Sequence, residues 1–151
     1  MTNDTYYIYN NEALASCILL AYLKASSSID IARVCLVLPF LMDDKTVRYL
    51  RNHDLELGGL SQLISYQTGL FSSFNKRYLS LLPITVNSLI LLSKSSQIVI
   101  SSEITSTSSL DVEIIFKSKR LSDIIEAIPK FIQLTHGFNT SHLYQMLKVK
   151  L

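Results

Sequence analysis

Tryptophan is missing from this chain, and only 4 glycines, 3 prolines and 2 cysteines occur in its 151 residues. So few glycines leave little material for a phosphate-cradling loop, and neither GxxxxGK[ST] nor GxGxxG is present. Cys17 and Cys35 both lie in apolar runs and read as small core hydrophobes, with no disulfide framework. Neither has an adjacent base, and no GxSxG occurs, so nucleophilic catalysis finds no constellation. His136 and His142 stand six residues apart with no cysteine nearby, and His53 is far off; the spacing fits no common zinc pattern. Long hydrophobic runs are lacking too: the longest, Val34 to Met42, has nine residues, against about 20 for a spanning helix. The start, MTNDTYYIYNN, has neither the basic opening nor the apolar stretch of a signal peptide. These absences read as a cytoplasmic protein that is not an enzyme and holds no metal or cofactor.

What is present is apolar mass. The hydrophobic fraction is 48%, high for so short a chain, which favours a large core, a partner that covers apolar surface, or both. Net charge is only +2, so the whole molecule does not attract polyanions. The charge is uneven, however: from Ile114 onward Lys117, Lys119, Arg120, Lys130, Lys148 and Lys150 face only Asp123 and Glu126. Of these, Lys117, Lys119 and Arg120 are the candidate contacts to a DNA backbone or a partner protein.

Along the chain, Tyr6 to Tyr9 reads as a short extended piece, after which Asn10 or Asn11 caps a helix carrying Leu14, Cys17, Ile18 and Ala21. Serines 26–28 end it, and Asp30 is a plausible next cap. "CLVLPFLMDD" (35–44) reads as a buried helix broken near Pro39, with Asp43 or Asp44 capping the polar helix "KTVRYLRN". A loop with Gly58 and Gly59 leads to a short helix around Leu60 to Tyr66. Phe74, Tyr78, Leu82, Val86 and Leu89 follow helical spacing, and Pro83 reads as the start of a new helix. Then β-branched residues take over, predicting a hairpin with strands near 97–102 and 111–117 around a Ser/Thr-rich loop. Leu121, Ile124, Ile125, Ile128 and Ile132 mark another helix, kinked at Pro129 and ended by Gly137. A last helix is capped by Thr140 or Ser141. The expectation is an α+β fold, mostly α, in one domain over 1–151. A helical lobe covers about 1–57, and a winged-helix-like lobe with the late hairpin covers about 58–151.

The acid pairs Asp43/Asp44 and Asp54/Glu56 are sequence neighbours, better suited to capping than to acid–base work. The helix from Pro83 to Lys94, in the recognition position of a winged helix, is mostly Ile, Val, Leu and Ser with one base, so it is poorly equipped to read DNA bases.

The segments "YNNEALASCILLAYLK", "ARVCLVLPFLMDDKTVRYL", "KRYLSLLPITVNSLILLSKSSQIVIS" and "IIFKSKRLSDIIEAIPKFIQL", ending in "LYQMLKVKL", together resemble the middle component of bacterial three-component ABC-ATPase systems. Lamassu-type anti-phage and anti-plasmid defence is the best-known relative. The resemblance covers nearly the whole chain and rests on hydrophobic patterns, not on catalytic motifs. It implies a non-catalytic adaptor on the head region of an SMC/Rad50-like ATPase, linking it to an effector such as a nuclease. The role is comparable to that of the winged-helix accessory subunits of bacterial condensins. The alternative is a stand-alone winged-helix protein that binds DNA or regulates transcription.

Overall fold

The computed structural model describes residues 3–54 and 59–151, with residues 3–10 through their backbone alone. Gly58, Glu56 and the expected lobe boundary at 57/58 lie outside the described residues. The fold is α+β and mostly α, with one small antiparallel sheet.

Helix α1 spans Asn3–Ala25. The extended piece expected at Tyr6 to Tyr9 is therefore helical, and Asn10 and Asn11 lie within the helix. Tyrosine and isoleucine suit a strand, but a lone extended segment has no ladder partner, whereas continuing the helix satisfies its backbone groups. Leu14, Ala15, Ile18, Leu19, Leu20, Tyr22 and Leu23 are all buried, so α1 is covered on several sides. Ser26 ends it by donating its hydroxyl to the Tyr22 carbonyl at 2.8 Å.

Strand β1, Ile29–Asp30, is followed at once by α2, Ile31–Val34, whose N-cap Asp30 accepts from the Arg33 amide at 2.9 Å. Helix α3, Val37–Leu41, is wholly buried. It contains Pro39 in its first turn, where a missing N–H costs no helical hydrogen bond. Thus the "CLVLPFLM" run is buried as its sequence suggests, but the break between α2 and α3 falls at Cys35–Leu36 and Pro39 sits inside α3, because a proline in the first turn fits the helix without breaking it. Phe40 is its hub: its ring lies 5.6 Å from Phe71, 5.8 Å from Phe74 and 4.8 Å from Phe131. Asp43 caps α4, Asp44–Asn52, accepting from the Thr46 amide at 3.1 Å and its hydroxyl at 2.6 Å.

Helices α5 (Gly59–Tyr66) and α6 (Thr68–Phe71) precede the long α7, Phe74–Lys94. Pro83 does not begin a new helix; α7 runs through it. The proline sits on the exposed side, so the Leu79 carbonyl it leaves without a helical donor can turn to water. Helix α7 packs along α1 and against α3.

The late hairpin exists, but its second strand lies elsewhere. β2 (Ile98–Ile100) pairs with β3 (Glu103–Ser106), and β3 also pairs with β1, giving the order β1-β3-β2. Ile104, fully buried, pairs with Ile29 on one side and Ile100 on the other. The returning strand thus arises inside the Ser/Thr-rich stretch, because one β-branched residue at the sheet centre outweighs its polar neighbours. The run expected as strand 111–117 instead forms α8, Val112–Ile115, after Asp111 caps it by accepting from the Glu113 amide at 3.0 Å. A local cap and a one-turn helix compete well against a strand with no free partner.

Helix α9, Lys119–His136, buries Leu121, Ile124, Ile128 and Phe131 and ends at Gly137. It continues through exposed Pro129 and packs on α1 and α4. Helix α10, Thr140–Met146, is capped by Asn139, not Thr140 or Ser141; Asn139 accepts from the His142 amide at 2.8 Å. Thr140 instead donates its hydroxyl to Asp30 at 2.7 Å. Both cysteines are free; Cys35 is buried, Cys17 half-buried, and burial pushes both thiols above their ordinary values. No helix among the described residues is long and apolar enough to cross a membrane.

Candidate functional site: a charged corner and an apolar helix face

The three candidate contacts lie where α8 leads into α9. Lys117 is exposed in the connection, and Ser118 caps α9 by accepting from the Leu121 amide at 3.3 Å. Lys119 and Arg120 occupy the first turn of α9, which places them beside α4. Arg120 reaches Asp44 at 3.2 Å and donates to the Met42 carbonyl at 3.1 Å. Lys119 lies 3.4 Å from Asp123. Arg51 on α4 joins the network, 2.8 Å from Glu126 and 3.3 Å from Asp123. The hydrogen bond that Arg51 donates to Glu126, with the Asp123 charge, holds its guanidinium above its usual pKa. Exposed pairs of this kind add little stability and are screened by salt. A shallow cleft of about 360 Å³ lies between α4 and α9, lined by Arg48, Arg51, Lys119, Arg120, Asp44 and Asp123. The corner is partly compensated: Lys117 and Arg48 have no ion-pair partner among the described residues, but Lys119, Arg120 and Arg51 all have acids. The sequence hid this because the compensating Asp44 lies 76 residues from Arg120.

The second feature is α7, which its sequence mis-oriented. Val86 shares the helical spacing of Phe74, Tyr78 and Leu89, yet it faces outward while they are buried. The buried face carries Phe74, Tyr78, Thr85, Ser88, Leu89 and Leu92. The Thr85 and Ser88 hydroxyls are buried with no hydrogen-bond partner, at a cost to stability. Outward stand Leu79 (50% exposed), Pro83, Val86 (45%) and Ile90 (45%). The helix thus carries apolar residues on both faces and includes two hydroxyls in its buried one, unlike an ordinary amphipathic helix.

What orients α7 this way is Arg77. Its guanidinium donates to the Pro39 carbonyl at 3.0 Å, the Leu70 carbonyl at 3.0 Å and the Ser73 hydroxyl at 2.7 Å, and lies 5.4 Å from the Phe74 ring centre. Tyr78 bonds the Tyr144 hydroxyl at 3.1 Å, which in turn donates to the Ala32 carbonyl at 2.5 Å. Burial, then Tyr78, pushes the Tyr144 phenol well above its usual pKa.

Over residues 6–151 the chain matches the family model of the ABC-three component system Middle Component 3. The chain belongs to that family. Neither the curated proteins nor the solved structures gave a match. As a middle component, it is one part of a multi-protein ABC system.

Among the described residues no three His, Cys, Asp or Glu side chains come together as a metal site would require. His53 stacks on Tyr49 at 4.0 Å, and His142 meets the Phe138 ring edge-on at 5.4 Å. Arg33, a residue the sequence did not single out, ties β1–α2 to α9–α10: it donates to the Thr135 carbonyl at 3.0 Å, the Thr140 hydroxyl at 3.1 Å and the Phe138 carbonyl. It is a structural clasp.

Proposed function

We propose that this middle component is a non-catalytic adaptor, which binds the head region of an SMC-like ABC ATPase and links it to an effector in anti-phage or anti-plasmid defence. Membership of the Middle Component 3 family over residues 6–151 carries the reading. The apolar outward face of α7 supports it, because contiguous exposed apolar surface marks interaction sites. Co-expression with the ABC ATPase of the same system, followed by affinity purification, tests it. The adaptor reading expects a stable complex with the ATPase or the effector; recovery of neither ends it.

A second reading, a winged-helix protein that binds DNA by itself, draws on one observation. The sheet order β1-β3-β2, with α7 leading into the β2–β3 hairpin, is what favours it. Lys117, Lys119 and Arg120 would then touch DNA backbone. Reversing these three charges should weaken DNA binding and flatten its salt dependence. Unchanged binding removes this reading.

A further inference from the structure

Helix α7 has an unusual composition for a solvent-facing helix. Along one line stand Lys76, Leu79, Pro83, Val86, Ile90 and Lys94, separated by steps of three and four residues. Four apolar residues at 4-3-4 spacing form a seam of the kind that receives a second helix, about 16 Å long at 1.5 Å per residue. All four are exposed, and a lysine closes each end. Helix α7 has no aspartate or glutamate, and its third base, Arg77, is turned inward onto the Pro39 and Leu70 carbonyls. On the flank of the seam, Glu12 accepts from Asn87 at 3.2 Å.

We propose that this seam docks an amphipathic helix of the ABC ATPase, one with apolar residues at matching spacing and acidic residues at both ends. The inference rests on the adaptor reading and names the surface that reading requires. Charge selects the occupant. A second copy packed antiparallel across the seam would set Lys76 against Lys94, and one packed parallel would set like lysines together; both are repulsive. DNA would meet an apolar centre with no donors for phosphate or base edges. A membrane-surface helix carries basic residues along its polar face, whereas α7 confines its outward bases to the two ends. An acid-ended helix satisfies both lysines and covers the four apolar residues at once. The burial of Thr85 and Ser88 fits the same picture: two hydroxyls take core positions on α7 while Leu79, Val86 and Ile90 stay outward.

The test uses the full chain and the intact ATPase, with affinity measured for wild type, a Val86→Asp/Ile90→Asp double variant and a Lys76→Glu/Lys94→Glu double variant. All substituted residues are exposed, and circular dichroism melting checks that each variant folds; Val86→Ser/Ile90→Ser replaces the first if the aspartates unfold it. The expected result is at least about tenfold weaker binding for the apolar-face variant. The lysine variant should lose about threefold, and more at low salt than at high salt. Wild-type affinity in the apolar-face variant overturns the seam while leaving the adaptor reading standing. An unchanged lysine variant overturns the acidic-ended occupant. A wild-type dimer that the Val86→Asp/Ile90→Asp variant breaks, or flotation of wild type with anionic phosphatidylserine vesicles, gives the seam to another occupant and overturns the proposal. Wild type that recovers neither ATPase nor effector removes the adaptor reading itself.

Discussion

Helices α7 and α9 are the two longest after α1, each carries an exposed proline that does not stop it, and both pack on α1. They differ in what they turn outward. Helix α9 buries Leu121, Ile124, Ile128, Phe131 and Leu134 and turns Lys119, Glu126 and Pro129 outward. Helix α7 buries Phe74, Tyr78, Leu89 and Leu92 together with Thr85 and Ser88, and also turns Leu79, Pro83, Val86 and Ile90 outward. Folding alone explains α9, since its apolar stripe is its contribution to the core. Folding alone does not explain α7, where local preference and observed burial disagree; such disagreements concentrate at functional surfaces.

Several perturbations sharpen this contrast. The largest effect belongs to the inner face of α9. Phe131→Ala removes a ring lying 4.8 Å from Phe40 and 5.6 Å from Tyr22, and should cost about 3–5 kcal/mol in urea unfolding. The inner face of α7 should behave in the opposite sense. Thr85→Val keeps the shape and deletes a buried hydroxyl with no partner, so stability should stay level or rise by about 1 kcal/mol. A fall of that size would mean that the hydroxyl has a partner.

Alkaline titration probes the core that both helices share. Burial raises the thiols of Cys17 and Cys35 from 9.0 and the phenol of Tyr22 from 10.0. A raised folded pKa makes the folded state hold its proton longer than the unfolded chain. That stability is fully present below the unfolded values and is lost as pH climbs through the folded ones. Melting temperature should therefore decline as pH rises above about 9, and replacing Cys35 with Ala should lessen the decline. The outer charged face of α9 should matter less. Glu126→Gln weakens the contact to Arg51, and its small stability loss should vanish in about 1 M salt. Smallest is the outer face of α7, where Val86→Asp/Ile90→Asp should change folding stability by less than about 0.5 kcal/mol per site.

Much of the fold could be read from residues in isolation. Asp30 and Asp43 act as caps and Gly137 ends α9, because each of these effects is local. The readings that failed depend on what lies across the chain. Pro83 reads as a helix start unless its side of α7 is known to face water. Strand β3 is legible only once Ile104 is seen to pair with Ile29, 75 residues away. The rotation of α7 could not be read because Leu, Ile and Val occur around its whole circumference, so periodicity gives no single inward face. The site followed the same rule. Lys117, Lys119 and Arg120 do fall together at the start of α9, but the acids that balance two of them come from α4 and from the next turn of α9. The apolar seam, by contrast, is spelled in plain 4-3-4 spacing; only its exposure was hidden.

Site-specific labelling bears most directly on the central claim, that α7 and not the charged corner of α9 meets the ATPase. Single cysteines placed by Ile90→Cys and Glu126→Cys, in the presence of slow-reacting buried Cys35 and half-buried Cys17, are labelled with a maleimide with and without the ABC ATPase. The account predicts that the ATPase suppresses labelling at position 90 and leaves position 126 unchanged. Suppression at 126 with undiminished labelling at 90 would contradict it.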